Sequence, residues 1–276
     1  GQSLATPLIS LLQDKYPEEK IFISPQEAAA RITPRTLLIV LDTHSPDFVE
    51  SREVLQSVSR VVVIDHHRMM VRHIENALVF YHEPFASSTA EMVTELVQYI
   101  GDRMLTDTEA EALLAGIMLD TKNFVLKTGV RTFEAAAYLR RKGADTVRVK
   151  RLFADSIDAY KEKYRIVANA RICDDYAIAS TEAELHDIRI SAAQAADELL
   201  SIQGVDASFV VYPAGGVVNI SARSLGDVNV QLIMEQLGGG GHLTMAGAQL
   251  PDLSVKQAED RLVSAIKKVK ETTQPA

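Results

Sequence analysis

The sequence predicts an α/β protein of two domains. An N-terminal domain built on a parallel sheet is joined by a helical connector to a smaller C-terminal α/β domain. Three observations carry this. Residues 36–41 (TLLIVL) and 60–64 (RVVVI) are short apolar runs rich in β-branched residues, as buried parallel strands are. Helical patterns opened by capping signatures follow them. Beyond about residue 170 the rhythm changes to a strand, a helix and a hairpin.

Each early strand ends in a polar cluster, Asp42-Thr43-His44 after the first and Asp65-His66-His67 after the second. Ser88 precedes Glu91 at capping-box spacing, ahead of a helix through residue 99. Thr106 and Glu109 repeat that signature before a helix toward residue 119, with Asp120 just beyond it. A further helix over 131–142 stops at Gly143, a residue suited to a helix C-terminus. Residues 145–170 read as one or two helices and contain the connector. Then come a strand at 176–180 and a helix at 191–202. Runs 207–212 and 217–223 flank Pro213-Ala214-Gly215-Gly216, a hairpin signal. A helix over 229–237 leads into Gly238-Gly239-Gly240-Gly241-His242, and the last helix covers 254–270. The expected boundaries are 1–150 for the first domain, 151–170 for the connector and 171–276 for the second domain. No repeat or low-complexity segment interrupts them.

Composition narrows the function. The chain has 276 residues, 47% hydrophobic and 24% charged, ordinary for a globular protein. No apolar run approaches the roughly 18 residues of a membrane span, and no basic, apolar signal-peptide pattern opens the sequence. A single cysteine, Cys173, precludes an internal disulfide and fits a reducing cytoplasm. A formal charge of −8 and the absence of tryptophan argue against long nucleic acid as a partner, because that affinity comes from neutralised phosphates. A small nucleotide held by metal ions and a few placed basic groups remains open.

Ligands of open α/β sheets sit beyond the carboxyl ends of the strands. Asp42 and Asp65-His66-His67 occupy that position on two strands. Carboxylate oxygens with imidazole suit manganese or a related divalent ion better than a thiolate-binding metal. A pair of ions about 3.5–4 Å apart is the spacing used for in-line attack on phosphorus. Asp120 joins the set if its loop returns to the same rim. Singly, each residue has a plainer use: Asp42 as a turn former or helix cap, Asp120 as a carboxylate at a helix end.

The glycine run permits positive φ and close backbone approach, and its N–H groups suit an anion-binding nest. A flexible helix terminator is the competing reading; His242 directly after the run favours phosphate binding. Arg223, ending a strand, suits a phosphate grip or base stacking, or else is a solvated edge arginine. Ser87, Ser88 and Thr89 open a helix, where hydroxyls and N–H groups meet phosphate or simply cap. His44, His73, His82 and His186 receive no role.

Taken in order, these motifs resemble a known family. Asp42-Thr43-His44, Val63-Ile64-Asp65-His66-His67-Arg68 and Gly116-Ile117-Met118-Leu119-Asp120-Thr121 are similar to successive motifs of the DHH phosphoesterase superfamily. Gly239-Gly240-Gly241-His242 resembles the signature of the DHH-associated C-terminal domain. Two further stretches are similar to the GdpP-type cyclic di-AMP phosphodiesterases in particular: residues 220–230 (ISARSLGDVNV) and 83–91 (EPFASSTAE). The resemblance spans about residues 21–266.

It implies a two-manganese site in the first domain, a mobile second domain that binds substrate, and hydrolysis of cyclic di-AMP to linear pApA. Asp42, His66 and Asp120 are then metal ligands, Asp42 bridging. His67, close to the scissile phosphate, and Asp65 are the catalytic pair. Arg223, Ser221, Gly239, Gly240, Gly241 and His242, with Ser87 and Ser88, hold the nucleotide. Related possibilities are a short-oligonucleotide or 3′-phosphoadenosine phosphate hydrolase, and a nucleotide-binding module without catalysis. Two departures stand out. The family's opening His-x-x-x-Asp-x-Asp motif is absent from residues 1–20, where Asp14 alone is an Asp or His. Met245 replaces a small residue after the glycine run. We therefore expect a cytoplasmic portion of a longer, membrane-anchored protein; a homodimer also fits the resemblance.

Overall fold

The computed structural model describes residues 5–101, 105–183 and 187–273; His186 lies outside them. The chain divides into two compact units, Gly1–Ala154 and Asp155–Ala276.

The first unit contains α1 (Thr6–Lys15), α2 (Pro25–Arg31), β1 (Leu37–Leu41), α3 (Arg52–Ser57), β2 (Arg60–Asp65), β3 (Val79–His82), α4 (Thr89–Ile100), α5 (Asp107–Asp120), α6 (Val130–Arg141) and α7 (Thr146–Leu152). Its three strands are parallel in the order β1-β2-β3, with Leu38 opposite Val61 and Ile64 opposite Tyr81. Val40, Val61 and Val63 pack with Ile74 on one face. Ile64 packs with Ala86 and Met92, the latter from α4, on the other. Thus β2 is buried on both faces, as its unbroken Val-Val-Val-Ile run demands. β1 is different: Leu37, Ile39 and Leu41 are each about half exposed, and Val40 alone is buried. It is an edge strand, and α4 covers the face of β2 rather than of β1.

Capping decides several helix starts. Ser88 Oγ accepts the Glu91 N–H at 3.0 Å, but Glu91 does not reach back to Ser88; its carboxylate instead takes the Ser87 hydroxyl at 2.5 Å. At α5 the Thr106 N–H does donate to Glu109. α6 ends where expected, with Gly143 at φ +104, a conformation a side chain would strain.

The second unit contains α8 (Ile157–Ala168), β4 (Arg171–Cys173), β5 (Tyr176–Ser180), α9 (Ile188–Leu199), β6 (Ala207–Ala214), β7 (Val217–Ser224), α10 (Val230–Glu235), β8 (Gly240–Gly241), β9 (Met245–Leu250) and α11 (Val255–Thr273). The six strands run β4-β5-β6-β7-β9-β8; β5 and β6 are parallel, joined through α9, and the other pairs are antiparallel. Alternation along β7 sorts its residues between faces. Val218, Ile220 and Ala222 join Phe209, Ile233 and Leu262 in one core. A second core under α9 unites Ala192, Ala196 and Leu199 with Val210 and Tyr212. On that second face β7 presents Asn219, Ser221 and Arg223, opposite Gln249, Gly247 and Met245 of β9. Four strands, β3, β4, β8 and β9, lie outside the sequence expectations.

Candidate active site

Asp42 follows β1 and Asp65 ends β2, so both reach the carboxyl rim of the first sheet. Asp42 adopts φ +63, a left-handed conformation that Asp tolerates better than most residues. Its N–H continues the ladder to Ile64 O at 3.0 Å, and Thr89, at the start of α4, donates its hydroxyl to Asp42 Oδ1 at 2.9 Å. His66 and His67 follow β2 directly. Asp120 is the last residue of α5 rather than a loop residue beyond it.

These groups converge. His66 Nε2 lies 3.6 Å from Asp42 Oδ1 and 3.6 Å from Asp120 Oδ2. Asp42, His66 and His67 offer ligand atoms all within 4.8 Å of one another. The other nitrogen of His66, Nδ1, donates to Ala86 O at 3.3 Å, which leaves the Nε2 lone pair facing the two carboxylates. A backbone carbonyl behind an imidazole is the usual support of a metal-binding histidine. Ligands around one divalent ion stand about 3–3.6 Å apart, given metal–ligand distances of about 2.0–2.2 Å. The His66–carboxylate distances fit such an ion. Burial, and then the neighbouring Asp42 carboxylate, raise the Asp120 pKa; a cation between them would remove that repulsion.

Behind this set is a histidine–carboxylate chain. Asp65 is fully buried. Its Oδ1 accepts His67 Nδ1–H at 2.8 Å and the His67 N–H at 3.2 Å, and its other oxygen bonds His44 Nδ1. The Met70 N–H donates to His44 Nε2 at 2.9 Å, so His44 carries its proton on Nδ1 and directs it to Asp65. Burial opposes ionisation of Asp65, but the hydrogen bonds from His67 and His44 outweigh it and hold the carboxyl below its usual range. The Asp65 bond in turn raises the His67 pKa. His82 Nε2 lies 2.5 Å from the His67 carbonyl.

Sequence reasoning assigned no role to His44, yet it is one of the most buried histidines of the chain. The available signal was its position two residues after Asp42 in a strand-end cluster.

The residues expected to hold substrate are placed as follows. Ser87 and Ser88 are buried, their hydroxyls engaged by Glu91 and by the α4 cap. Arg223 is not a solvated edge residue: it is buried on the interior strand β7, with Nε donating to Asp197 at 3.2 Å and Nη1 to Ala222 O at 2.9 Å. Ser221, Gly239 and Gly240 line an open groove of about 620 Å³ within the second unit, with Arg189, Tyr212, Asn219 and Gln249, which the sequence did not single out. Gly241 and His242 form the β8–β9 turn, where the His242 N–H donates to Met245 O at 2.7 Å. Met245 is half exposed opposite Arg223.

Comparison with known proteins gives a consistent identification. Residues 5–117 match the DHH family N-terminal domain, and residues 175–273 match the DHHA1 domain. The chain is 52% identical over 249 residues to the cyclic-di-AMP phosphodiesterase GdpP of Geobacillus thermodenitrificans, covering 88% of this chain and 38% of that protein. It is 47% identical over 257 residues to the cyclic-di-AMP phosphodiesterase PdeA of Listeria monocytogenes, covering 92% and 39%. It therefore spans about two-fifths of the length of these relatives. An exopolyphosphatase-related protein from Bacteroides fragilis shares the fold, with a TM-score of 0.80 at 21% identity over 98% of this chain and 81% of that one. With the two family domains in order on a shared fold, the chain belongs to the DHH family and carries its DHHA1 domain.

Proposed function

We propose that the chain is a manganese-dependent phosphodiesterase that hydrolyses cyclic di-AMP to linear pApA. The observation that carries this reading is the convergence of Asp42 and Asp120 on His66 Nε2, at 3.6 Å each, from three separate elements. The names of the 52%- and 47%-identical relatives support the substrate. In this reading residues 1–150 hold the metal, 151–170 connect, and 171–276 bind the nucleotide. The lengths of the relatives support a portion of a longer protein, which in this reading is the cytoplasmic portion of a membrane-anchored one. Among the described residues, no helix is long and apolar enough to cross a membrane.

Asp42, His66 and Asp120 would hold the ion. Bound there, a divalent cation supplies Lewis acidity toward phosphate oxygens and lowers the pKa of water. His67 acts beside it. Its Nδ1–H is fixed on Asp65, so Nε2 faces away from that carboxylate and, with the pKa raised, carries a proton for the oxygen that leaves phosphorus. Asp65 holds the ring and stays ionised, and His44 holds Asp65. In the second unit Ser221, Gly239, Gly240, Gly241 and His242 position the nucleotide, while Arg223, engaged by Asp197 and the Ala222 carbonyl, braces the strand that carries Ser221; Ser87 and Ser88 order the start of α4.

Manganese titration by calorimetry, run beside turnover of cyclic di-AMP and of a linear dinucleotide, tests the proposal. Asp42→Ala and His66→Ala should each abolish manganese-dependent hydrolysis. Wild-type turnover by either variant would overturn the metal assignment, and faster turnover of the linear dinucleotide would overturn the substrate.

A further inference from the structure

The groove of the second unit has a chemistry that the motif residues do not account for. Its volume of about 620 Å³ suits a nucleotide-sized ligand, for which sites run roughly 300–1,000 Å³. It lies on the polar face of β7, where Asn219 and Ser221 replace the apolar alternation of the opposite face. Among the described residues no Asp or Glu lines it, although the chain is acidic, and Arg189 is the one charged residue of the lining. Arg189, in the first turn of α9, is exposed, and among the described residues no carboxylate pairs with it. Its Nη2 reaches along the β6–β7 turn, 3.4 Å from where a Cβ on Gly215 would stand. Arg223, by contrast, spends its guanidinium on Asp197 and Ala222 O and does not line the groove.

The glycines add a second, independent observation. A Cβ on Gly239 would stand 2.2 Å from Gly247 O, and one on Gly241 would stand 2.5 Å from Ala246 Cα; both residues are required by the close approach of the loop to β9. Gly240 is under neither constraint. A Cβ there would meet nothing within 4 Å, and its φ is not in the left-handed region. Packing does not explain this glycine. It keeps one wall of the groove bare.

We propose that Arg189 is a substrate-binding residue: in the groove of the second unit, beside Ser221 and Gly240, it holds a phosphate of the nucleotide. This rests on the phosphodiesterase reading above. A dinucleotide bound in this groove brings phosphate charge that needs a counter-charge. A guanidinium that no carboxylate pairs among the described residues supplies it in the bidentate form that phosphate accepts. Ser221 Oγ, 3.4 Å from the Tyr212 hydroxyl, is held at the same wall.

The test is cyclic di-AMP binding and steady-state kinetics of Arg189→Ala, Arg189→Lys and Gly240→Ala, with manganese titrated into each. Arg189→Ala should raise KM for cyclic di-AMP about tenfold with kcat within about twofold, as loss of one charge-assisted contact made equally in ground and transition states. Arg189→Lys should recover part of the loss. Gly240→Ala should fold with unchanged thermal stability and weaken the same binding. Manganese affinity should be unaltered in all three. A KM for Arg189→Ala equal to wild type would overturn the inference, as would a fall confined to kcat or accompanied by lost manganese binding. If the wild-type protein binds manganese but neither binds nor hydrolyses cyclic di-AMP, the parent reading fails and takes this one with it, a result distinct from the others.

Discussion

Thr89 Oγ1 donates a 2.9 Å hydrogen bond to Asp42 Oδ1, tying the first turn of α4 to the rim of β1 across 47 residues of sequence. The bond turns the Asp42 carboxylate toward His66. Thr89→Val preserves the shape and removes the donor. Manganese affinity, measured by calorimetry, should fall about tenfold, the usual cost of losing a group that orients a metal ligand.

Asp42 also sits at φ +63. A left-handed conformation costs an L-residue about 1–2 kcal/mol, and glycine far less. Asp42→Gly should therefore be more stable than Asp42→Ala by about 1 kcal/mol in urea unfolding, while both lose metal-dependent activity. Equal stability would show that the backbone relaxes when the carboxylate is removed.

Asp120 titrates high, first through burial and then through Asp42. Because its folded pKa is raised, its contribution to stability is complete below the unfolded carboxylate value near 3.9 and is lost as pH rises through the folded value. At neutral pH the metal-free site is thus frustrated. Asp120→Asn should melt higher than wild type at pH 7 without metal, with the difference vanishing toward pH 3. Added manganese should reverse the order by stabilising the wild type alone.

His67 shows the same sign from a different cause, the Asp65 hydrogen bond that raises its pKa. Its contribution to stability is present below the ordinary imidazole value near 6.5 and is lost as pH rises through the raised folded value. In metal-free protein, the urea midpoint of wild type should decline over that window, and His67→Gln should flatten the decline. Histidine NMR titration should show the His67 pKa falling in Asp65→Asn.

Asp197 is the side-chain partner of Arg223 Nε at 3.2 Å, and Arg223 is buried. Asp197→Ala leaves that guanidinium without its carboxylate. The variant should lose about 1–3 kcal/mol of stability, the cost of an unsatisfied buried polar group. Asp197→Asn, which keeps an acceptor, should lose less.

Much of the candidate site at the sheet rim was legible before any coordinates. A buried strand ending in Asp-His-His needs no tertiary information to be read, because an unbroken β-branched run demands two covered faces and a polar residue at its end must leave the sheet. The same holds for the β6–β7 hairpin, whose Asn219-Ile220-Ser221-Ala222-Arg223 alternation already separates a polar face from an apolar one. Strands β8 and β9 were not legible. Gly240–Gly241 and Met245–Leu250 have little β-propensity of their own, and they become strands because Gly247 lets β9 lie against β7 while Gly239 and Gly241 let β8 lie against β9.

What the sequence by itself determined was the local grammar: which runs become strands and helices, where they cap, and which of them end in carboxylates and imidazoles. What the tertiary structure decided was company. Asp120 belongs to the rim because α5 ends beside His66, His44 matters because folding buries it on Asp65, and Arg223 is occupied by Asp197 while Arg189 is left facing the groove. Hydrogen bonds and charges act over a few ångströms of space, and residues 21 to 54 positions apart acquire those distances only when the sheets and helices that carry them have packed.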